Sequence, residues 1–554
     1  MIIATVKYPD GFTEQVSVPE NSTPQQLAER HPEHCPYVVL ACSVDHFNRR
    51  ITIPLRHDCT VELLDMRSPY GNQCYQNSLA LLYLEAVHHV FGKNVKVTIA
   101  NSLSQGLFTR IHIGTITDEQ IKKVSEHMQK MVKLDLTIGE TRISKDEMLN
   151  YLKDNKDSEE YRLVKTAKDL HYCELVQLDD ETGFSYCHLV PSTRYLKLFD
   201  VRRYRTGVLL RFPNYRKPDI VPPYEEQKQL YEAFSEETQW EQLMNVRFVA
   251  DLNQKVLADD YRELIMLSEA LHEKKIAEIA GMIHESRRRI ILIAGPSSSG
   301  KTSFAKRLCI QLRVLGLKPL YLGTDDYFLD RAEMIPDENG NLDFESLSAV
   351  DVKLFAQQMN DLLAGRKVDI PSFDFITGTK VFGSRLTSLE PGQPIVIEGI
   401  HGLNPAMTEG IDNEEKFKIY ISPLTQLNID MHHRVPTTDA RMLRRMVRDN
   451  RTRGRSAAVT IRDWPAVRAG EEVNIFPYNK EADVFFNSQC LYELAVLKKY
   501  AKPLLEEIPE GTEEYGEARR MLRFLRFFEE ITDDSVVANN SIIREFIGGS
   551  ILVS

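Results

Sequence analysis

No run of apolar residues in this chain approaches the roughly 18 that a membrane-crossing helix requires. Its amino terminus, Met1-Ile-Ile-Ala-Thr-Val-Lys-Tyr-Pro-Asp-Gly11, lacks the basic stretch and apolar core of a secretory leader, so a first strand and turn are expected there and no membrane partner. No Cys-x-x-Cys pair occurs. The eight cysteines are scattered, which offers neither a zinc ribbon nor a disulfide framework and fits a reducing cytoplasm. There is no basic excess either. A net charge of −11 argues against non-specific nucleic-acid binding and leaves only a local basic patch open. Internal repeats and low-complexity tracts are absent. What the chain does have is length: 554 residues, 42% of them apolar, are enough for about three to four domains.

One stretch stands out. Ile290-Ile-Leu-Ile-Ala294 suits a buried parallel strand, Phe304 to Leu312 has helical apolar spacing, and between them runs Gly295-Pro-Ser-Ser-Ser-Gly-Lys-Thr-Ser303. This is a P-loop in its proper strand-to-helix context. Gly295 and Gly300 allow the backbone to bend so that the N–H groups of Pro296-flanking residues Ser297, Ser298, Ser299 and Ser303 face a polyphosphate at the positive end of the next helix. Lys301 would neutralise β/γ oxygens and Thr302 would ligate Mg²⁺. A nucleoside triphosphate and Mg²⁺ are the cofactors expected.

Two further strands end in acids. Pro319 to Phe328 carries Asp325 and Asp326 at its carboxyl end, the side of a parallel sheet that faces the ligand. Asp325 is the candidate general base, while Asp326 should point elsewhere and cap the turn. Gln393 to Ile400 places Glu398 in an apolar run, where an unpaired carboxylate would be costly, so a metal-holding role is expected for it. Downstream, Arg441 to Arg455 is arginine-rich. Arg441, Arg445 and Arg448 share a helix face and Gly454 follows as a hinge, the pattern of a phosphate lid.

These pieces in this order resemble the uridine kinase and phosphoribulokinase family. The matching segments are the P-loop, Thr324-Asp-Asp-Tyr-Phe328, Asn341-Leu-Asp343, Pro371-Ser-Phe-Asp-Phe375, Ile397-Glu-Gly399, Arg444 to Asp449 with Arg453-Gly-Arg455, and Pro477 to Asp483. The resemblance implies that Asp325 acts on a ribose 5′-hydroxyl. It further implies that Asp343 and Arg445 hold ribose hydroxyls, that Phe328 and Phe373 flank the acceptor, and that Arg448, Arg453 and Arg455 clamp ATP phosphates. In uridine-cytidine kinases a tyrosine and a histidine read the base; here Phe373 and Gly378 stand at those positions. The acceptor is therefore expected to be a nucleoside, uridine or cytidine first, with a purine nucleoside or another small alcohol as alternatives. Members of this family commonly form oligomers.

The fold class expected is α/β, a parallel-sheet P-loop kinase preceded by a small β-grasp domain and an α+β domain. Residues 1–66 alternate strand and turn signals and resemble the TGS module, through Pro9-Asp10-Gly11, the helix after Thr23-Pro24 and the strand Asp58 to Leu64. Residues 67–220 resemble the editing domain of threonyl-tRNA synthetase, but its four metal-type positions fall at Gln76, Ala80, Phe184 and His188, and one histidine cannot hold zinc. Residues 221–285 look like a charged helical connector whose many acids form a solvated face, 286–500 the kinase, and 501–554 a helical extension. A different class, an RNA- or ribosome-associated NTPase regulator, would use the TGS-like module and the arginine run. A GTPase is disfavoured, because Asn479-Lys-Glu-Ala-Asp483 is one residue too long for guanine reading.

Overall fold

The computed structural model describes residues 1–336, 342–374, 377–425 and 427–553. Asn341 and Phe375 of the motifs above lie outside the described residues. At the amino end, β1 (Ile2–Lys7), β2 (Thr13–Val18), α1 (Pro24–Ala28), β3 (Ala41–Val44), β4 (Phe47–Arg49) and β5 (Cys59–Leu64) build a mixed sheet of order β2-β1-β5-β3-β4. The first and last strands lie side by side in parallel, and every other pairing is antiparallel. Local chemistry starts its elements. Asp10 accepts the Phe12 N–H at 2.9 Å to close the β1–β2 turn, and Thr23 and Gln26 form a reciprocal cap at the start of α1.

The next elements are α2 (Pro69–Phe91), β6 (Val97–Leu103), β7 (Gly106–Ile111), α3 (Asp118–Leu134), β8 (Gly139–Ser144), α4 (Lys145–Tyr151), α5 (Glu159–Thr166), β9 (Tyr172–Leu178), β10 (Glu181–Ser185), β11 (Asp200–Tyr204) and β12 (Gly207–Arg211). They make two antiparallel sheets, β11-β12-β7-β6 and β10-β9-β8, around the long buried helix α2.

Then come α6 (Lys228–Met244), α7 (Val249–Leu257) and α8 (Tyr261–Ser286). The connector expected here is instead part of the next core. Ile276, Ile279, Ala280 and Ile283 of α8 pack with Ile291, Ile293 and Phe304. The acids read as a solvated face are partly turned inward as well: Glu273 pairs with the buried Arg307 at 2.7 Å, and Glu269 lies 3.6 Å from it. An apolar stripe and a buried arginine on the facing helix together outweigh the charged composition.

The remaining elements are β13 (Ile290–Ala294), α9 (Lys301–Val314), β14 (Leu320–Gly323), α10 (Val352–Leu363), β15 (Val368–Asp369), β16 (Ser372–Asp374), β17 (Thr379–Val381), β18 (Leu386–Thr387), β19 (Ile395–Glu398), β20 (Lys416–Ser422), α11 (Thr437–Arg453), α12 (Ala457–Asn474), β21 (Val484–Asn487), α13 (Glu493–Glu506), α14 (Tyr515–Leu525) and α15 (Arg544–Ile547). β14-β19-β13-β20-β21 form an all-parallel sheet. Its strands are covered on both faces, which is why β13 reads as an unbroken apolar run. α11 to α14 bury a second large core against α7 and the start of α8.

Candidate phosphoryl-transfer site

β19 lies between β14 and β13, with Glu398 opposite both Gly323 and Ile293. The P-loop, Glu398 and the turn Thr324–Tyr327 therefore leave the same carboxyl edge of the sheet at one level, the edge where ligands of open α/β sheets bind. At Gly295 the backbone passes so close to β20 that a Cβ would stand 1.9 Å from the Ile421 carbonyl oxygen. Ser298 and Gly300 then adopt positive φ, and α9 begins at Lys301.

Lys301 folds back across the loop, its Nζ donating to the Gly295 and Pro296 carbonyls at 3.0 and 3.1 Å. Burial lowers its pKa, and the charges of Glu398 and Asp325 oppose that shift. Thr302 donates its hydroxyl to Glu398 Oε1 at 2.8 Å, and Tyr321 donates to the same oxygen at 3.0 Å. A hydroxyl and a carboxylate side by side are the hard oxygen donors that Mg²⁺ takes, so Thr302 and Glu398 fit that ion. Ser298 and Ser299 keep buried hydroxyl oxygens with no hydrogen-bond partner among the described residues.

Asp325 sits on the turn after β14. Its residue surface is exposed, yet protein atoms crowd around the carboxyl and desolvate it. This burial, together with the Glu398 charge, raises its pKa to about 6, with Lys301 pulling the other way. Asp326 is turned aside into an ion pair with Arg385 at 2.6 Å. The two adjacent acids thus have different surroundings.

The arginine helix divides in two. Arg441 donates to the Ser297 carbonyl at 2.9 Å and pairs with buried Glu471, which itself accepts the Ser297 N–H at 3.0 Å. Arg444, fully buried, pairs with Glu493 at 2.5 Å and reaches the Ser298 carbonyl at 3.3 Å. Arg445 donates to Ser297 Oγ at 2.8 Å. This half of α11 is wedged against the P-loop, which corrects the expectation that Arg441 belongs to a mobile lid: both its guanidinium and its carboxylate partner are sealed in the core. Arg445, Arg448 and Arg453 gather around Asp449 at 3.4, 2.7 and 3.5 Å. Arg453 lies near enough for the Asp325 charge to act on it. Arg455 pairs with Asp463, just past the positive-φ Gly454 that ends α11.

Ser303 is engaged elsewhere. Its N–H and hydroxyl donate to Glu545 at 3.2 and 2.7 Å, so the segment near α15 is pinned behind the P-loop helix. Arg451 secures that segment through the Glu545 and Phe546 carbonyls at 3.0 and 3.3 Å. Neither Glu471 nor Glu545 was readable as a site residue, since each lies on a distant helix with no motif around it.

On the acceptor side, Asp343 is exposed and accepts the Glu345 N–H at 2.9 Å; the structure directs Arg445 to Ser297 and Asp449 instead of to Asp343. Phe328 and Phe373 meet edge to face at 5.5 Å and are largely buried. At Gly378, φ is +72° and a Cβ would fall 2.3 Å from Arg331 Cδ, so the Arg331 side chain lies across this position. His401, just beyond β19, is a further unforeseen residue: burial lowers its pKa to about 4, so the ring is neutral beneath the Glu345–Ser346 main chain.

Comparison with known proteins fits this geometry. The profile of the phosphoribulokinase / uridine kinase family matches residues 290–494. A uridine kinase of Staphylococcus aureus is 30% identical over 198 residues, which make up 35% of this chain and 85% of the relative. The chain belongs to the phosphoribulokinase/uridine kinase family. A uridine kinase of Ligilactobacillus salivarius is 29% identical over 220 residues, 39% of this chain and 93% of that one. A solved structure from Bacillus stearothermophilus, described as a possible uridine kinase, is 24% identical and covers 36% of this chain and 88% of its own, with a TM-score of 0.24. The family segment is the parallel-sheet P-loop kinase, and the first 289 residues lie outside it. Among the described residues no helix is long and apolar enough to cross a membrane.

Proposed function

We propose that the chain transfers the γ-phosphoryl group of ATP to the 5′-hydroxyl of a nucleoside, with uridine or cytidine the first candidates. The observation that carries this reading is the convergence of Lys301, the Thr302–Glu398 pair and Asp325 at one sheet edge. Asp325 takes the proton of the attacking hydroxyl, and its raised pKa makes it a better base than an ordinary aspartate while it stays ionised at neutral pH. Lys301 leaves the Gly295 and Pro296 carbonyls to meet the phosphate oxygens, and Arg448, Arg453 and Arg455 supply charge to the transferring group. Thr302 and Glu398 would hold Mg²⁺, which supplies charge neutralisation along the polyphosphate.

The acceptor pocket favours keeping a second reading. Phe373 in place of tyrosine, and Arg331 lying over Gly378, replace two neutral base readers with a ring and a cation. A purine nucleoside or another small alcohol is the alternative substrate.

The amino-terminal modules are proposed to be TGS-like (1–66) and editing-like without hydrolytic activity (67–220), joined to a kinase spanning 286–500 and its helical extension. The retired status of the second module is supported by its contacts: His188 is paired with Glu140, Cys187 accepts from Asn77 at 2.7 Å, and Gln76 bonds to Asn72. Turnover of ATP with Mg²⁺ over a panel of nucleosides and simple alcohols, with the product mass read for one added phosphate, tests the reading. Hydrolysis stimulated by RNA or ribosomes with no phosphorylated acceptor would replace it with the regulator.

A further inference from the structure

Away from the P-loop, a cavity of about 840 Å³ opens where α2, β9 and β10 face α11, α12 and α14. None of residues 295–303 lines it, and neither does Asp325 or Glu398. Four carboxylates do, and each already has a cation. Glu174 pairs with Arg142 at 2.6 Å, Glu472 with Arg216 at 3.1 Å, and Asp439 and Glu517 with Arg520 at 2.7 and 2.6 Å.

Three arginines on the wall are left over. Among the described residues, Arg434, Arg523 and Arg526 have no carboxylate within 4.0 Å. The Nε of Arg434 is sealed from solvent without a hydrogen-bond partner. Burial alone lowers its pKa, to about 10, and no acid offsets that shift. Arg526 reaches only a neutral phenol, the Tyr172 hydroxyl at 3.3 Å. A guanidinium sealed like that of Arg434 without a counter-charge is unfavourable, and an anion supplied from outside, met also by Arg523 and Arg526, would offset that cost.

The rest of the wall is largely apolar and rich in rings. Tyr186 meets Phe527 edge-on at 4.6 Å, and Trp464 lies under Arg441 at 5.4 Å. The volume lies in the range, roughly 300–1,000 Å³, of cavities that enclose small organic ligands.

We propose that this cavity is a second ligand site for a nucleotide-class anion, whose phosphate charge is met by Arg434, Arg523 and Arg526 and whose flat base lies among Tyr186, Phe527 and Trp464. Arg441 is a lining residue of the cavity as well as the donor to the Ser297 carbonyl, so one residue lies between the cavity and the P-loop.

Calorimetric titration of the full chain, with the P-loop saturated by Mg²⁺ and a non-hydrolysable ATP analogue, tests this. The probes are AMP, UMP, GMP and inorganic pyrophosphate. At least one nucleotide should bind, and Arg434→Met and Arg523→Met should each weaken it at least tenfold while ATP-analogue binding is retained. Binding that both variants leave unchanged, or no binding of any nucleotide, overturns the site. Pyrophosphate binding as tightly as every nucleotide overturns the flat-base half of the proposal. Should Arg434→Met fail to fold by circular dichroism, Arg523→Met and Arg526→Gln decide. Because the readout is binding, a chain that proves to phosphorylate no nucleoside leaves this test intact.

Discussion

Thr302 donates its hydroxyl to Glu398 across 2.8 Å, joining the first turn of the P-loop helix to the end of β19, 96 residues further on. Glu398→Gln keeps the shape and removes the charge that a divalent ion needs. Turnover should fall at least a hundredfold at ordinary Mg²⁺, with a higher Mg²⁺ requirement seen on titration, while the thermal midpoint hardly moves.

Asp325→Asn should lower kcat by about 10²–10⁴, the usual contribution of a general base, and leave binding of an ATP analogue within a fewfold of the parent. The pH dependence follows from the raised pKa. Below about 6 the carboxyl is protonated and cannot accept the hydroxyl proton, so kcat/KM should climb as pH rises through about 6 and then level off. A rate that is flat from pH 5 to 7 would remove Asp325 from this role.

Glu493→Gln leaves the Arg444 guanidinium charged, fully buried and without its carboxylate. Breaking such a pair from one side costs about 3–5 kcal/mol. Denaturant unfolding should show that loss, and ATP affinity should drop with it because Arg444 also holds the Ser298 carbonyl.

Gly295→Ala would place a methyl carbon 1.9 Å from the Ile421 carbonyl oxygen, a contact that only backbone movement relieves. Loss of nucleotide binding, by at least tenfold, is expected from fluorescence titration, together with a lower melting temperature.

The strand-loop-helix unit at residues 290–314 was legible because glycine spacing and apolar runs are local signals. The meeting of Thr302 with Glu398 followed from the rule that acids at the carboxyl ends of parallel strands share one edge. Other parts were not legible, for a physical reason. Spacing shows which arginines share a face of α11 but not which way that face points, so Arg441 was expected in a lid over the phosphates and lies wedged against the loop instead. Glu269 and Glu273 made α8 look solvated, since only the fold brings Arg307 against them. Glu471 and Glu545 reach the loop from helices 174 and 242 residues away, with no motif around them.

Ser303 and Glu545 also set an order of events during synthesis. The P-loop and its helix emerge from the ribosome long before the segment that braces them, so the nucleotide pocket gains its support only after 242 further residues have been added. A nascent chain halted between the two would carry the phosphate-binding motif unbraced, and truncation before residue 541 should weaken ATP binding even though every residue of the family motif is retained.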